Sequence, residues 1–237
     1  MDKQLIVIPD IHLKPWIIDA AEKQMKTHKI KNAVFLGDIA DDWKQEYNES
    51  LYEETYDRVI KFLHDHKTTI FCIGNHDISY VWQKMESGYS NLMQPLVAEK
   101  MSQIKRILGD NMCYIKRIDN TLFSHGGLSQ EFITNIYNTN DPASLDDLIA
   151  KINREKPGVL WSDISPLWMR PAEPGFKMHP WPENMLQVTG HTPVRQPTTI
   201  DGFLMLDVFS TYSDGRLIGS QEFVAINPDT KEWEVLS

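Results

Sequence analysis

The chain has 237 residues, of which 41% are hydrophobic and 24% charged, with a formal net charge of −9. That length supports one well-buried core or at most two small ones. The acidic balance argues against non-specific nucleic-acid binding, which needs basic patches that displace counterions, and no apolar run approaches the roughly 20 residues that span a bilayer.

Met1-Asp2-Lys3-Gln4 leads directly into an apolar run, Gln4 to Pro9, without the basic and apolar segments of a signal peptide. This run predicts a central strand, and Asp10-Ile11-His12 follows it. In extended backbone an Asp-x-His step sends both polar side chains to one side, because side chains alternate with a period of two. Pro15 fits the first turn of a helix whose apolar stripe is Ile17, Ile18, Ala21 and Met25. Lys23, Lys26, Lys29 and Lys31, with Glu22, read as that helix's solvated face rather than as a basic patch. A second strand, Asn32 to Leu36, ends in Gly37-Asp38, and Asp41, Asp42 and Trp43 come next. Tyr52, Tyr56, Val59, Ile60 and Leu63 then recur at helical spacing; His64 and His66 near that helix's end read as solvated groups favourable to its dipole.

Thr69 to Ile73 predicts a third buried strand, and Gly74-Asn75-His76-Asp77 ends it with a turn signal and three polar side chains. The first three strands thus form a β-α-β-α-β unit, and in such open sheets ligands sit beyond the carboxyl ends of the strands. Leu92 to Leu108 is helical in pattern. Asn111 to Lys116 and Thr121 to Phe123 predict a hairpin turned at Asp119-Asn120, followed by Ser124-His125-Gly126-Gly127, where paired glycines imply closely packed backbone. Glu131 to Tyr137 and Leu145 to Ile152 read as helices. Beyond them Pro157, Pro166, Pro171, Pro174, Pro180 and Pro182 interleave with Trp161, Trp168 and Trp181. A long Pro- and Trp-rich loop is either a functional wall or an ordered excursion packing its own tryptophans. Leu186 to Thr189 is a further strand, ending in Gly190-His191-Thr192-Pro193. Phe203 to Val208 and Leu217 to Ile226 complete a strand-rich C-terminal part, with Ser213-Asp214-Gly215 as a hairpin turn. Cys72 and Cys113 lack metal-type spacing and read as small buried hydrophobes, so a reducing, cytoplasmic compartment is expected.

Polar loops at strand ends are where rigid sheets present catalytic groups. Here they offer Asp10, His12, Asp38, Asn75, His125 and His191. Any one of these alone reads more readily as a satisfied polar turn than as a ligand; their joint occurrence is what points to a site. Mixed carboxylate, imidazole and amide ligands suit Mn²⁺, Fe or Zn²⁺ better than Ca²⁺, which prefers oxygen alone.

Asp10-x-His12, Gly37-Asp38-x-x-Asp41, Gly74-Asn75-His76-Asp77, His125-Gly126-Gly127 and Gly190-His191-Thr192 together resemble the ordered motifs of the calcineurin-like metallophosphoesterases. The nearest resemblance is to the phosphoprotein phosphatase branch, with its bacterial and phage members and the symmetrical dinucleoside tetraphosphate hydrolases. Leu160-Trp161-Ser162-Asp163 is similar to a stretch of that branch, and Asp207 to Leu217 to its final sheet hairpin. The resemblance implies an α/β fold of two packed mixed β-sheets flanked by helices, in one domain over residues 1–237, with residues 129–183 as an insertion walling the substrate cleft. It implies two divalent metal ions, Mn²⁺ first and Fe or Zn²⁺ as alternatives. Asp10, His12 and Asp38 would hold one ion, and Asp38, Asn75, His125 and His191 the other. A hydroxide bridging the two would attack phosphorus. His76 would act on the leaving-group oxygen, oriented by Asp41.

Three positions depart from that pattern. Leu13 stands where the family usually has Gly, and Asp42-Trp43 stands where the phosphatase branch has Arg-Gly. The missing Arg ordinarily grips the substrate phosphate, for which an acidic residue is a poor substitute. Arg170 is a candidate replacement, since Arg binds phosphate bidentately, and Arg195 is a second; a surface Arg in a Pro-rich loop is the plainer reading of Arg170. The expected activity is hydrolysis of a phosphate monoester on a phosphorylated small molecule, nucleotide or phosphoprotein. Hydrolysis of a phosphodiester or dinucleoside polyphosphate is the enzymatic alternative. A metal-binding scaffold without turnover is the alternative of another class, and a nuclease is disfavoured by the acidic balance.

Overall fold

Alternate residues of the first strand, β1 (Leu5–Ile8), enter two different cores. Ile6 and Ile8 join the residues of the outer helices, while Leu5 and Val7 face a second sheet. A strand covered on both faces must be apolar at every position, which is why it reads as a continuous run. The computed structural model describes residues 4–171 and 178–237, so Met1 to Lys3 and the expected breaker Pro174 lie outside the described residues.

Parallel to β1 run β2 (Asn32–Phe35), β3 (Ile70–Cys72) and β4 (Met112–Cys113). The antiparallel β10 (Phe223–Ile226) and β11 (Trp233–Leu236) complete a six-stranded sheet in the order β11-β10-β1-β2-β3-β4. The second sheet contains β5 (Ile115–Ile118), β6 (Thr121–Ser124), β7 (Leu186–Pro193), β8 (Thr198–Ile200) and β9 (Phe203–Asp207), ordered β5-β6-β7-β9-β8. Val7, Val34, Cys72, Phe123, Val188 and Leu204 fill the space between the sheets. Cys72 lies opposite Cys113 in register, and both are free and buried, as small hydrophobes are.

On the outer face, α1 (Trp16–His28) buries Ile17, Ile18, Ala21 and Met25 and leaves Lys23, Lys26 and Lys29 to solvent. α2 (Glu49–Asp65) is capped by Asn48, whose side chain accepts from the Leu51 amide, and buries Tyr52, Tyr56, Val59 and Leu63. α3 (Asn75–Trp82) begins directly after Gly74, and α4 (Gln94–Leu108) follows it. The expected α/β architecture of two mixed sheets with flanking helices is therefore present.

Several element boundaries differ from the sequence reading. The run Asn111 to Lys116 is not one arm of a hairpin: Met112–Cys113 pairs with β3, and Ile115 onward belongs to the other sheet. The chain changes sheets at Tyr114. There the amides of Tyr114 and Ile115 both donate to Asn153 Oδ1, at 2.8 and 3.0 Å. Glu131 to Tyr137 is a short helical turn, Gln130–Phe132, followed by a π-turn, Ile133–Tyr137. Of Leu217 to Ile226 only Phe223–Ile226 is a strand; Leu217 makes one isolated bridge, to Thr211. The turn between them forms as expected, with Gly215 at φ +84°. Strands β8 and β11 escaped notice because they are short and largely exposed.

Candidate active site

The loops that follow β1, β2, β3 and β6 and a bulge within β7 converge at one end of the sandwich. After β1 the chain turns through His12 (φ 43°) and Leu13 (φ 53°), both left-handed. The amides of Ile11 and His12 donate to the Asp38 carbonyl at 2.9 Å, so the first loop hangs on the second. Asp38 is itself left-handed (φ 50°), as are Asp41 (φ 64°) and His191 (φ 61°). Such conformations are disfavoured for non-Gly residues and collect at functional sites, where surrounding packing enforces them.

Close approach explains two of the glycines. A Cβ on Gly74 would lie 2.0 Å from Asp38 Oδ1, and one on Gly190 would lie 2.1 Å from Asp10 Oδ1. Only a bare backbone lets those carboxylates sit where they do. Asp38 Oδ1 accepts the His76 amide at 3.0 Å, and Asp10 Oδ2 accepts the His191 amide at 2.9 Å. Gly126 is also pressed against backbone, its amide donating to the Pro166 carbonyl at 2.7 Å.

Each imidazole is turned by a carbonyl behind it. His12 Nδ1 is 2.9 Å from the Asp41 carbonyl, His125 Nδ1 is 2.7 Å from that of Leu36, and His191 Nε2 is 3.0 Å from that of Trp168. The other ring nitrogens therefore face one another. His125 Nε2 lies 2.8 Å from Asn75 Oδ1, 3.2 Å from Asp38 Oδ2 and 3.1 Å from His191 Nδ1. His12 Nε2 lies 3.9 Å from the same Asp38 oxygen. Two sets of potential ligand atoms result, Asp10/His12/Asp38 and Asp38/His125/His191, each within 4.8 Å of one another. Asp38 belongs to both.

This donor set fits divalent metal ions. Ligand atoms around one ion at about 2.1 Å sit roughly 3 Å apart, which is the spacing around His125 Nε2. Carbonyl-anchored imidazoles are the usual support for metal-binding histidines. The electrostatics agree. Burial, then Asp207 nearby, pushes the Asp10 carboxyl well above its ordinary range, and burial also raises Asp207. Burial opposes the ionised form of Asp38 as well, yet His125, His76 and His12 hold it well below the usual carboxylate range. Burial, reinforced by His125 and Arg170, keeps His191 neutral and free to donate a lone pair. A crowd of buried carboxylates and a neutral imidazole is a place where added positive charge is favourable.

Beside the cluster, His76 Nδ1 is 2.9 Å from Asp41 Oδ2. Tyr52 donates to Asp41 Oδ1 at 2.7 Å, and Tyr80 donates to the same oxygen. Burial opposes a charged His76, but Asp38 and Asp41 outweigh it and push its pKa up to about 9. The sequence reading placed Tyr52 on a helical stripe and did not single out Tyr80; both hydroxyls hold Asp41. Asp77, left without a role by that reading, ties the loops together: Oδ1 accepts the Ile39 and Ala40 amides at 2.9 and 3.3 Å, and Oδ2 accepts the Gly74 amide at 3.3 Å.

A cavity of about 580 Å³ opens onto this cluster, lined among others by His12, Asp38, His76, Arg170, His191 and Asp207. Arg170 is directed there by a hydrogen bond from its guanidinium to the His191 carbonyl. Arg195 is exposed and does not line the cavity. Asp42 lines the cavity, but its carboxylate is occupied by Lys14 Nζ at 3.1 Å, the Trp43 amide at 2.8 Å and Thr211 Oγ1 at 3.2 Å. Asp207, buried at the end of β9, was missed as a site residue. Its signal was present, since Phe203 to Leu206 is an apolar strand ending in a carboxylate, as β1 and β2 do.

Two mixed sheets back to back, with carboxylates and imidazoles gathered at the strand ends, define a metallophosphoesterase-type fold and site. The chain belongs to the calcineurin-like phosphoesterases: the family model of that description matches residues 3–207. It is accordingly a hydrolase acting on ester bonds. Among solved structures, it is similar to a cold-active protein tyrosine phosphatase, with 17% identity, a TM-score of 0.59, and coverage of 99% of this chain and 78% of that one. A cold-active protein-tyrosine phosphatase of a psychrophilic Shewanella species shares 16% identity at a TM-score of 0.58, covering 99% and 80%. A metallophosphoesterase from Sphaerobacter thermophilus shares 12% identity at a TM-score of 0.44, covering 99% and 88%. No curated protein sequence matches the chain. Among the described residues, no helix is long and apolar enough to cross a membrane.

Proposed function

We propose that this chain is a dinuclear, metal-dependent phosphatase that hydrolyses a phosphate monoester, on a phosphoprotein or a small molecule. The observation that carries the reading is Asp38, shared by two ligand clusters and flanked by the His76–Asp41 pair in one cavity. Asp10, His12 and Asp38 would hold one ion, and Asp38, Asn75, His125 and His191 the other, with Mn²⁺ first and Fe or Zn²⁺ as alternatives. When bound, such ions supply positive charge for the phosphoryl oxygens and acidify water near neutral pH.

The chain's own residues do the rest. His76, held by Asp41 through Nδ1, turns Nε2 toward the cavity and donates a proton to the departing oxygen, a contribution of about 10²–10⁴-fold. Tyr52 and Tyr80 fix the Asp41 carboxylate, so the imidazole keeps its orientation through the reaction. Arg170 sits on the same cavity and grips the phosphate in place of the absent Arg after Asp41. This Arg comes from the segment 129–183, whose described residues we read as a cleft wall within a single catalytic domain.

Metal analysis with phosphate release from an aryl phosphate, with and without Mn²⁺, tests the reading. Mn²⁺-dependent release supports it; bound metal without turnover across a broad phosphoester panel would establish a scaffold instead. Including bis-aryl phosphate and a dinucleoside polyphosphate in that panel separates monoester from diester or anhydride hydrolysis.

A further inference from the structure

The Asp42-Trp43 step, where the resemblance led us to expect Arg-Gly, is built into the site rather than added to its edge. Trp43 is 57% exposed, yet its indole is fixed: Nε1 donates to the Thr211 carbonyl at 2.8 Å. Its amide donates to Asp42 Oδ1, and Asp42 is held in turn by Lys14 and Thr211. Lys14, only 11% exposed, also donates to the His12 carbonyl at 3.1 Å. The loops after β1, β2 and β9 are thus knotted together, and the knot holds a large flat side chain open to solvent. Among the described residues, the indole lines the same cavity as His76 and Arg170, with Tyr89, Thr211 and Ile218.

A pinned aromatic ring offers broad contact while losing little conformational freedom when a ligand arrives. Charge narrows what that ligand is. Around Trp43 the cavity wall carries Asp42 and Glu46 against Lys44, and Asp42 is already paired with Lys14. This wall offers no excess of positive charge to a polyphosphate tail, whereas an uncharged ring meets no penalty there.

Resting on the phosphomonoesterase reading, we propose that Trp43 is the specificity-determining wall for the leaving group, and that the preferred substrates are phosphate monoesters carrying an aromatic ring close to the ester oxygen. The ring packs on the indole by offset or edge-on contact while the phosphate occupies the cluster. The Arg that would grip phosphate is replaced by Asp42, and the Gly after it by an indole that grips what leaves.

Benzyl phosphate and n-butyl phosphate test this, because both leave as aliphatic alcohols and differ mainly in the ring. In the Mn²⁺-supplemented enzyme, kcat/KM is expected to favour benzyl phosphate about 10-fold, and Trp43→Ala to collapse that ratio toward one through the KM for benzyl phosphate. Trp43→Phe, which keeps a ring but loses the bond to Thr211, should retain part of the preference. Circular dichroism on each variant checks that it folds. A ratio that survives Trp43→Ala, or a wild-type ratio near one, overturns the proposal while leaving the monoesterase reading intact. Hydrolysis of neither ester overturns that reading and this proposal together.

Discussion

At the inner end of the cavity four candidate metal ligands are held from behind: His12 by the Asp41 carbonyl, His125 by that of Leu36, His191 by that of Trp168, and Asp10 by the His191 amide. The outer wall is built from Trp43, Lys44, Glu46, Ser87 and Gly88, most of them exposed and on loops far from either sheet's hydrogen-bond ladder. The inner wall must present charges at fixed separations in a dry environment, so its backbone is locked, even into left-handed conformations. The outer wall meets whatever the reactive group is attached to, and there surface and charge matter more than ångström placement. On the proposed reading, one wall sets the chemistry and the other sets the substrate.

Breaking the inner wall should cost the most. Asp38→Asn removes the charge common to both ligand clusters. Turnover is expected to fall on the order of 10³-fold, the size of a lost electrostatic stabiliser of the transition state. Bound metal per chain, measured by elemental analysis, should fall with it; a variant that keeps its metal and its turnover would remove Asp38 from the centre of the site.

His76→Asn should cost about 10²-fold or more on benzyl phosphate, where an alkoxide must be protonated as it leaves. On a nitrophenyl phosphate, whose phenolate leaves unaided, the loss should be much smaller. That dependence on leaving group distinguishes proton donation from a structural role, which would lower both rates alike. Arg170→Ala should act differently again. Loss of a charge-assisted hydrogen bond of about 1.5–3 kcal/mol predicts roughly a 10- to 100-fold rise in KM or in the inhibition constant of inorganic phosphate. Unaltered values would return Arg170 to the plainer reading of a surface side chain.

The inner wall was also the more legible in sequence. β1, β2 and β3 are covered on both faces, so they read as unbroken apolar runs, and a polar residue after such a run stands out. His191 was harder to place, because it lies inside β7 at a bulge and not beyond its end. The hairpin arm at Asn111 to Lys116 misled because an apolar run does not reveal which of two sheets it joins; the switch at Tyr114 depends on Asn153, 39 positions away. Tyr52 carried the right period for a helix core and Tyr80 was not singled out, because nothing local distinguishes a buried hydroxyl that serves a carboxylate. The outer wall was read only as a loss, an Arg replaced by an acid. Lys14's pairing with Asp42 reverses that reading, and no local pattern joins residues on two separate loops.

The smallest predicted effect concerns Leu13, which sits at φ 53° where the resembling family usually has Gly. Its side chain is 3% exposed and packs in the outer core, so two opposed terms act there. A left-handed conformation costs a β-carbon-bearing residue about 1–2 kcal/mol, and Leu→Ala at a buried site costs about 2–5 kcal/mol. Leu13→Ala keeps the backbone strain and loses the packing. Leu13→Gly loses the packing but relieves the strain, against a smaller penalty of about 0.5–1 kcal/mol for glycine's freedom when unfolded. The glycine variant should therefore be the more stable of the two by up to about 1 kcal/mol, the reverse of the order at an ordinary buried position. Urea titration reads this as a higher midpoint for Leu13→Gly at unchanged slope. If alanine proves the more stable, packing alone governs Leu13, and the left-handed turn that carries His12 into the site costs the fold nothing.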